Sequence, residues 1–285
     1  MAGNPALSKW ESTVMSSNRP AAPPAPPASE LENMYNQPAY GGPTFPPTGN
    51  KGYGGGSGDG SGGAPTRYMT LDDVVVRFAS MLAVLFAAGA VAWALVPRDN
   101  VAPVLLIGLV GGLGLGLYMG WTMRVNAVTA LIYSACEGLL LGVVSRAFND
   151  RYSGIVVQAL AGTVMVAAGV LIAYRVGAIR VTTKFTRVTI AATIGVFGLM
   201  LVNLVAYLFT PDGLGLRSGG PLAVIFSLLC IGIAAMNLAN DFAIIERGIK
   251  HGADQKFAWF AGFSLMVTLV WLYVEILRLL GYARR

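Results

Sequence analysis

PLAVIFSLLCIGIAAMNLAN, residues 221–240, runs for 20 residues without one charged side chain. At about 1.5 Å of rise per residue, a helix of that length covers roughly 30 Å, the thickness of a bilayer's hydrocarbon core. A backbone in lipid finds no water to satisfy its N–H and C=O groups, so a continuous apolar run must pair them internally as a helix. The alternation of a membrane β-strand is absent.

Outward from this stretch the pattern repeats. Spans are predicted near Val75–Val96, Val101–Gly120, Ala127–Phe148, Gly154–Tyr174, Val188–Phe209, Pro221–Asn240 and Phe257–Leu280, about seven in all. Polar and turn-forming residues separate them: Pro97 with Asp99 and Asn100, Arg124 with Asn126, Asn149–Arg151, Pro211–Gly213 and Gly252–Gln255. The reading is an all-α membrane protein. Thr70 with Asp73 three residues later has the form of a helix N-terminal cap and marks where the first helix starts.

Composition agrees. Apolar residues make up 55% of the 285 and charged residues 12%, against roughly a quarter charged in soluble domains. The basic residues stand singly between apolar runs rather than in a cluster, which argues against nucleic acid as a partner. Cys136 and Cys230 lie inside apolar runs and read as small buried hydrophobes. His251 is the one histidine, so no metal or other cofactor is expected.

Residues 1–67 differ in character. Pro, Gly, Ser and Asn dominate, with too few large apolar side chains to offset the entropy of ordering. They are expected to form a disordered, solvated tail, with Tyr35, Tyr40 and Tyr53 as docking points for a partner if it has one. Residues 68–285 form the transmembrane domain. No removable signal peptide is expected at the start, because no apolar core or small-residue cleavage site is present there. Basic residues flanking the spans number ten on the tail's side and six on the other, which places the tail in the cytoplasm. With an odd number of spans the C-terminus then lies outside, unless the last segment is re-entrant; Arg284 and Arg285 favour that exception. The GC-rich flavour of the composition points to a bacterial plasma membrane.

Ionisable groups inside spans are costly and normally face a cavity, a partner or a conduction path. Glu137, Asp241 and Glu275 qualify. Glu137 shares a roughly common helical face with Ser134 and Ser145, either as part of a polar stripe or as a tie to an arginine at a helix end. In the last span Ser264, Thr268, Trp271, Glu275 and Arg278 recur at spacings of four, three, four and three, which puts them on one face. Glu275 and Arg278 are close enough in sequence to neutralise each other locally. Asn237 and Asp241 stack one turn apart at the end of the sixth span, beside Asn240, where Asp241 is either a buried acid or a boundary residue. Were Asp241 to meet a second carboxylate, the pair would hold a shared proton or, when ionised, offer oxygens to a hard cation such as Ca²⁺. Gly112, Gly116 and Gly120 recur at intervals of four and read as a packing stripe, because a dinucleotide loop would need a preceding strand.

SGGPLAVIFSLLCIGIAAMNLANDFAIIERGI from Ser218, WLYVEILRLLGY from Trp271 and CEGLLLGVVS around Glu137 together resemble the Bax inhibitor-1 / YccA family, in its bacterial branch with a long N-terminal tail. The resemblance spans about Met69 to Tyr282 and leaves out the tail. It implies seven helices with the last enclosed by the other six, and a pH-sensitive calcium leak governed by two aspartates on the last two helices. Asp241 matches the first of these. Counting back from Arg278, the second falls on Thr268, where no acid stands; Glu275 lies two turns further on. Either Glu275 substitutes from another height or the latch is absent. Glu137 matches the family's acid in its Glu-Gly motif.

Three functions follow as expectations. The first is a pH-sensitive leak for Ca²⁺ or another cation through the bilayer, with Asp241, Glu275, Glu137 and Thr268 as pH-sensing or ion-path residues, supported by Asn237, Asn240 and Arg278. The alternative is a membrane regulator that transports nothing and binds a membrane protease or stress-response partner. An enzyme is not expected: a serine nucleophile would need a base, and the one histidine falls in a surface loop while no lysine lies within a span.

Overall fold

A computed structural model describes residues 67–98, 101–210 and 213–284. The tail reading, its three tyrosines and Arg285 lie outside the described residues. Seven helices follow in order: α1 (Leu71–Leu95), α2 (Val101–Thr122), α3 (Ala127–Arg151), α4 (Ile155–Arg175), α5 (Thr183–Ala206), α6 (Pro221–Lys250) and α7 (Phe257–Ala283). All seven are long and apolar enough to cross a bilayer. Among the described residues there is no strand, only an isolated bridge between Tyr68 and Asp254.

The helix starts carry their own signals. Thr70 accepts from the Asp73 N–H while the Asp73 carboxylate accepts from the Thr70 N–H, closing the capping box read from sequence. Asn126 and Thr129 repeat that arrangement at α3, and Thr182 caps α5. The clearest difference from the sequence reading is in α6, which continues ten residues past Asn240 because the segment holds no proline and its one glycine, Gly248, is tolerated within a helix. At about 1.5 Å per residue its 30 residues extend about 45 Å, so its tail-side end projects beyond the hydrocarbon core.

The last helix is the centre. It is the most buried of the seven spans, and it packs against α1, α3, α4 and α6. Helix α5 reaches it through Phe197 on Trp271, ring centroids 5.5 Å apart, and α2 lies against α3. The outer faces are apolar: Leu106, Val110, Leu113 and Leu117 of α2 are all exposed. A water-facing surface would not tolerate such a band, and lipid covers it at no cost.

Close helix contact rests on glycine. A Cβ on Gly138 would stand 2.3 Å from the Leu85 carbonyl oxygen, and one on Gly142 2.3 Å from that of Gly89, so α1 and α3 approach backbone to backbone. The α2 stripe packs on α3, with Gly112 against Glu137 and Gly116 against Tyr133; Gly120 meets nothing. The start of α1 is clamped to the α6–α7 loop by Met69 N–H to the Ala253 carbonyl (2.8 Å) and Gln255 N–H to the Arg67 carbonyl (2.9 Å).

Candidate functional site

Because α6 runs on to Lys250, Asp241 is an interior residue of that helix rather than a boundary residue, and it is buried. On α7, Ser264 and Thr268 are one turn apart and present their hydroxyls to the same side. Thr268 Oγ1 donates to Asp241 Oδ2 at 2.7 Å and Ser264 Oγ donates to Oδ1 at 2.5 Å. Thr268 Oγ1 is also within 3.1 Å of the Ser264 carbonyl, its helical i−4 acceptor. Among the described residues no arginine, lysine or histidine forms an ion pair with Asp241. It is a carboxylate held by two hydroxyls, in a place where burial without a counter-charge is expensive.

Thr268, the position where the resemblance sets the second acid, therefore does face Asp241. Glu275 does not. Seven residues along a helix are about two turns and roughly 10 Å, and at that height Glu275 has other partners. Arg217 donates to it bidentately, Nη1 to Oε2 at 3.0 Å and Nη2 to Oε1 at 2.9 Å, while Arg278 Nη1 lies 3.4 Å from Oε1. The Glu275–Arg278 neutralisation is thus present, but as the weaker part of a triad. The Glu275 side chain is 1% exposed and that of Arg217 15%. Burial works against the Arg217 charge, but the hydrogen bonds and attraction of Glu275 outweigh it and leave its pKa above the ordinary arginine value. The guanidinium also sits 5.3 Å over the Phe226 ring.

Arg217 escaped the sequence reading, which counted it only as a flanking charge. The loop from α5 to α6 folds back into the bundle on three glycines with positive φ, Gly213, Gly215 and Gly219. Asn203 of α5 anchors it, its side-chain oxygen accepting from the Leu214 N–H at 2.9 Å. The density of glycine around Arg217 is the one sequence signal that could have flagged the fold-back. Between the two acid sites lies Trp271, whose buried Nε1 has no hydrogen-bond partner among the described residues.

The two asparagines turn away from Asp241. Asn237 Nδ2 donates to Thr193 Oγ1 at 2.8 Å, and Asn240 Oδ1 accepts from Thr186 Oγ1 at 2.9 Å, so both tie α6 to α5. Glu137 is likewise separated from its serines. Ser134 and Ser145 face α7, the latter 2.6 Å from the Tyr273 hydroxyl, while Glu137 points toward Gly112 of α2. Its polar neighbour is Tyr133, one turn earlier, and no arginine pairs with it among the described residues.

Hydroxyls and one carboxylate at Asp241 can exchange a proton or lend oxygens to a passing hard cation. They are too few to hold one in the six- to eight-oxygen shell that Ca²⁺ prefers. Among the described residues no cluster of His, Cys, Asp and Glu suits a metal. His251 ends α6 at the surface, its Nδ1 2.8 Å from the Arg247 carbonyl.

A family model described as Bax inhibitor 1 like matches residues 4–285. The match reaches well before Met69, into the stretch that the quoted motifs leave uncovered. No curated protein matches the chain.

Proposed function

The chain belongs to the Bax inhibitor 1 like family of membrane proteins, and from that premise we propose that it is a pH-sensitive cation leak with Ca²⁺ as its permeant ion. The observation that carries the reading is Asp241, a buried carboxylate that among the described residues is bound by two hydroxyls of the central helix and by no cation. When the carboxylate is ionised, both hydroxyls donate to it. When it is protonated, it is itself a donor, and one of the bonds to α7 must reverse or break. Proton uptake therefore changes how α6 grips α7 and how many oxygens face the path.

The path follows the polar face of α7. From Asp241 it passes Trp271 to the Arg217–Glu275 pair, which acts as a plug at the far end. Glu137, one layer out between α3 and α2, braces the bundle beside it. The residues before α1 face the cytoplasm, the membrane is a bacterial plasma membrane, and the bundle carries no catalytic activity.

The test is Ca²⁺ entry into liposomes bearing the purified full chain, read with an entrapped dye as the bath is taken from acid to alkaline. Flux should vary with pH, and Asp241→Asn should flatten the variation. A flux equal to that of empty liposomes at every pH would favour the second reading, a regulator that binds a membrane protease or stress-response partner. The feature supporting that reading is Thr268, which leaves Asp241 without a second acid.

A further inference from the structure

Helices α1 and α4 do not pack on one another to any extent. Between them opens a groove of about 790 Å³ whose floor is the central helix, at Leu265, Met266, Leu269 and Tyr273. Its walls are α1 from Phe78 to Trp93 and α4 from Val156 to Leu171. Fifteen residues of helix give it a length of roughly 22 Å, more than half of a hydrocarbon core of about 30 Å. Apart from Ser145 and Thr163, whose hydroxyls are bonded to Tyr273 and the Ala159 carbonyl, the lining is apolar.

At its tail-side end the groove runs into a second cavity of about 830 Å³, and Phe78, Leu171, Phe242 and Leu265 line both. This end is basic. Arg175 ends α4 and Arg180 follows it, Arg247 and Lys250 lie at the end of α6, and Glu246 is the one acid among them. Glu246 is already engaged by Lys250 and by the Tyr174 hydroxyl. The Arg175 and Arg180 side chains take part in no hydrogen bond or ion pair among the described residues; Arg175 feels the charge of Glu246 without bonding to it, so both guanidinium groups border the cavity with their donors unused.

We propose that this continuous groove binds one anionic glycerophospholipid of the tail-side leaflet, with an acyl chain between α1 and α4 and the headgroup phosphate on Arg175 and Arg180. Each half of the groove matches one half of that molecule. An apolar slot longer than a leaflet suits an acyl chain, and arginine at the membrane boundary suits a phosphate through bidentate, charge-assisted bonds. A protein segment would leave the basic end unmatched unless it were acidic, and a zwitterionic lipid would gain little from the excess positive charge. The site stands whether or not the bundle conducts ions.

The experiment is retention of lipid by the full chain in detergent, read by native mass spectrometry with phosphatidylglycerol or phosphatidylcholine of identical acyl chains. A single phosphatidylglycerol should be retained in preference to phosphatidylcholine. Arg175→Gln with Arg180→Gln should weaken retention about 25-fold, at roughly a factor of five for each basic group near the headgroup. Glu246→Gln, which removes the acid from the mouth, should strengthen it. Ala168→Trp, which fills the slot from the α4 wall, should abolish retention of both lipids. Elution and thermal midpoint of each variant identify any that misfold. Equal retention of the two lipids would overturn the proposal, as would unchanged retention in folded Arg175→Gln, Arg180→Gln or Ala168→Trp protein.

Discussion

Replacing Arg217 by methionine removes the guanidinium that closes the Glu275 end of the bundle while keeping the length of the side chain. The carboxylate left behind is 1% exposed. It loses two charge-assisted bonds of 2.9 and 3.0 Å and keeps only Arg278 at 3.4 Å. Removing one partner of a buried pair costs about 3–5 kcal/mol. Arg278 compensates in part, so the lower end, about 3 kcal/mol, is expected, or roughly a hundredfold in the folded-to-unfolded ratio. Unfolding by a denaturing detergent, followed through tryptophan fluorescence, reads the change, since Trp271 is one turn from Glu275. The partner experiment is Arg217→Met combined with Glu275→Met. Apolar replacement of a whole buried pair is often neutral, and Arg278, whose side chain is 36% exposed, can swing its charge to solvent. The double variant should therefore recover most of the loss. A single-variant cost below about 1 kcal/mol, the range of a surface ion pair, would refute the reasoning, as would a double variant as damaged as the sum of the singles.

Gly142→Ala forces a Cβ to within 2.3 Å of the Gly89 carbonyl oxygen and should cost about 1–3 kcal/mol or more, whereas Gly114→Ala, which meets nothing, should leave thermal stability unchanged. Asn240→Ala deletes the α5–α6 bond to Thr186 and should cost about 0.6–1.7 kcal/mol in the same unfolding assay, as interhelical hydrogen bonds in lipid generally do. Thr268→Asp sets a second carboxylate against Asp241, and a coupled pair should make the pH dependence of Ca²⁺ flux in liposomes visibly different from that of the parent protein; an unchanged profile would show that Thr268 does not border the gating group.

Most of the fold was legible because lipid imposes a simple rule. Twenty apolar residues must be helical, and Pro97, Asn126 and Pro211 mark the breaks between runs. Capping at Thr70 was legible too, being a contact over three residues. The α6 end was misread because Asp241 looks like a membrane boundary in sequence, whereas it is buried against α7 with nine more helical residues after it. For the site, spacing on α7 correctly grouped Ser264, Thr268 and Glu275 on one face but could not say which neighbour each one meets. Arg217 reaches Glu275 across 58 positions through a loop whose course depends on three left-handed glycines, and no local period encodes such a contact. The turning of Glu137 toward α2 follows from the absence of a side chain at Gly112, a fact of the partner helix rather than of α3.

The most direct measurement is infrared difference spectroscopy of the reconstituted protein across pH, with Asp241→Asn as the reference and Ca²⁺ flux recorded on the same liposomes. A carboxyl C=O band belonging to Asp241 should appear and vanish over the pH interval in which flux changes. If the band is missing, or titrates with no accompanying change in flux, proton exchange at Asp241 does not gate the bundle.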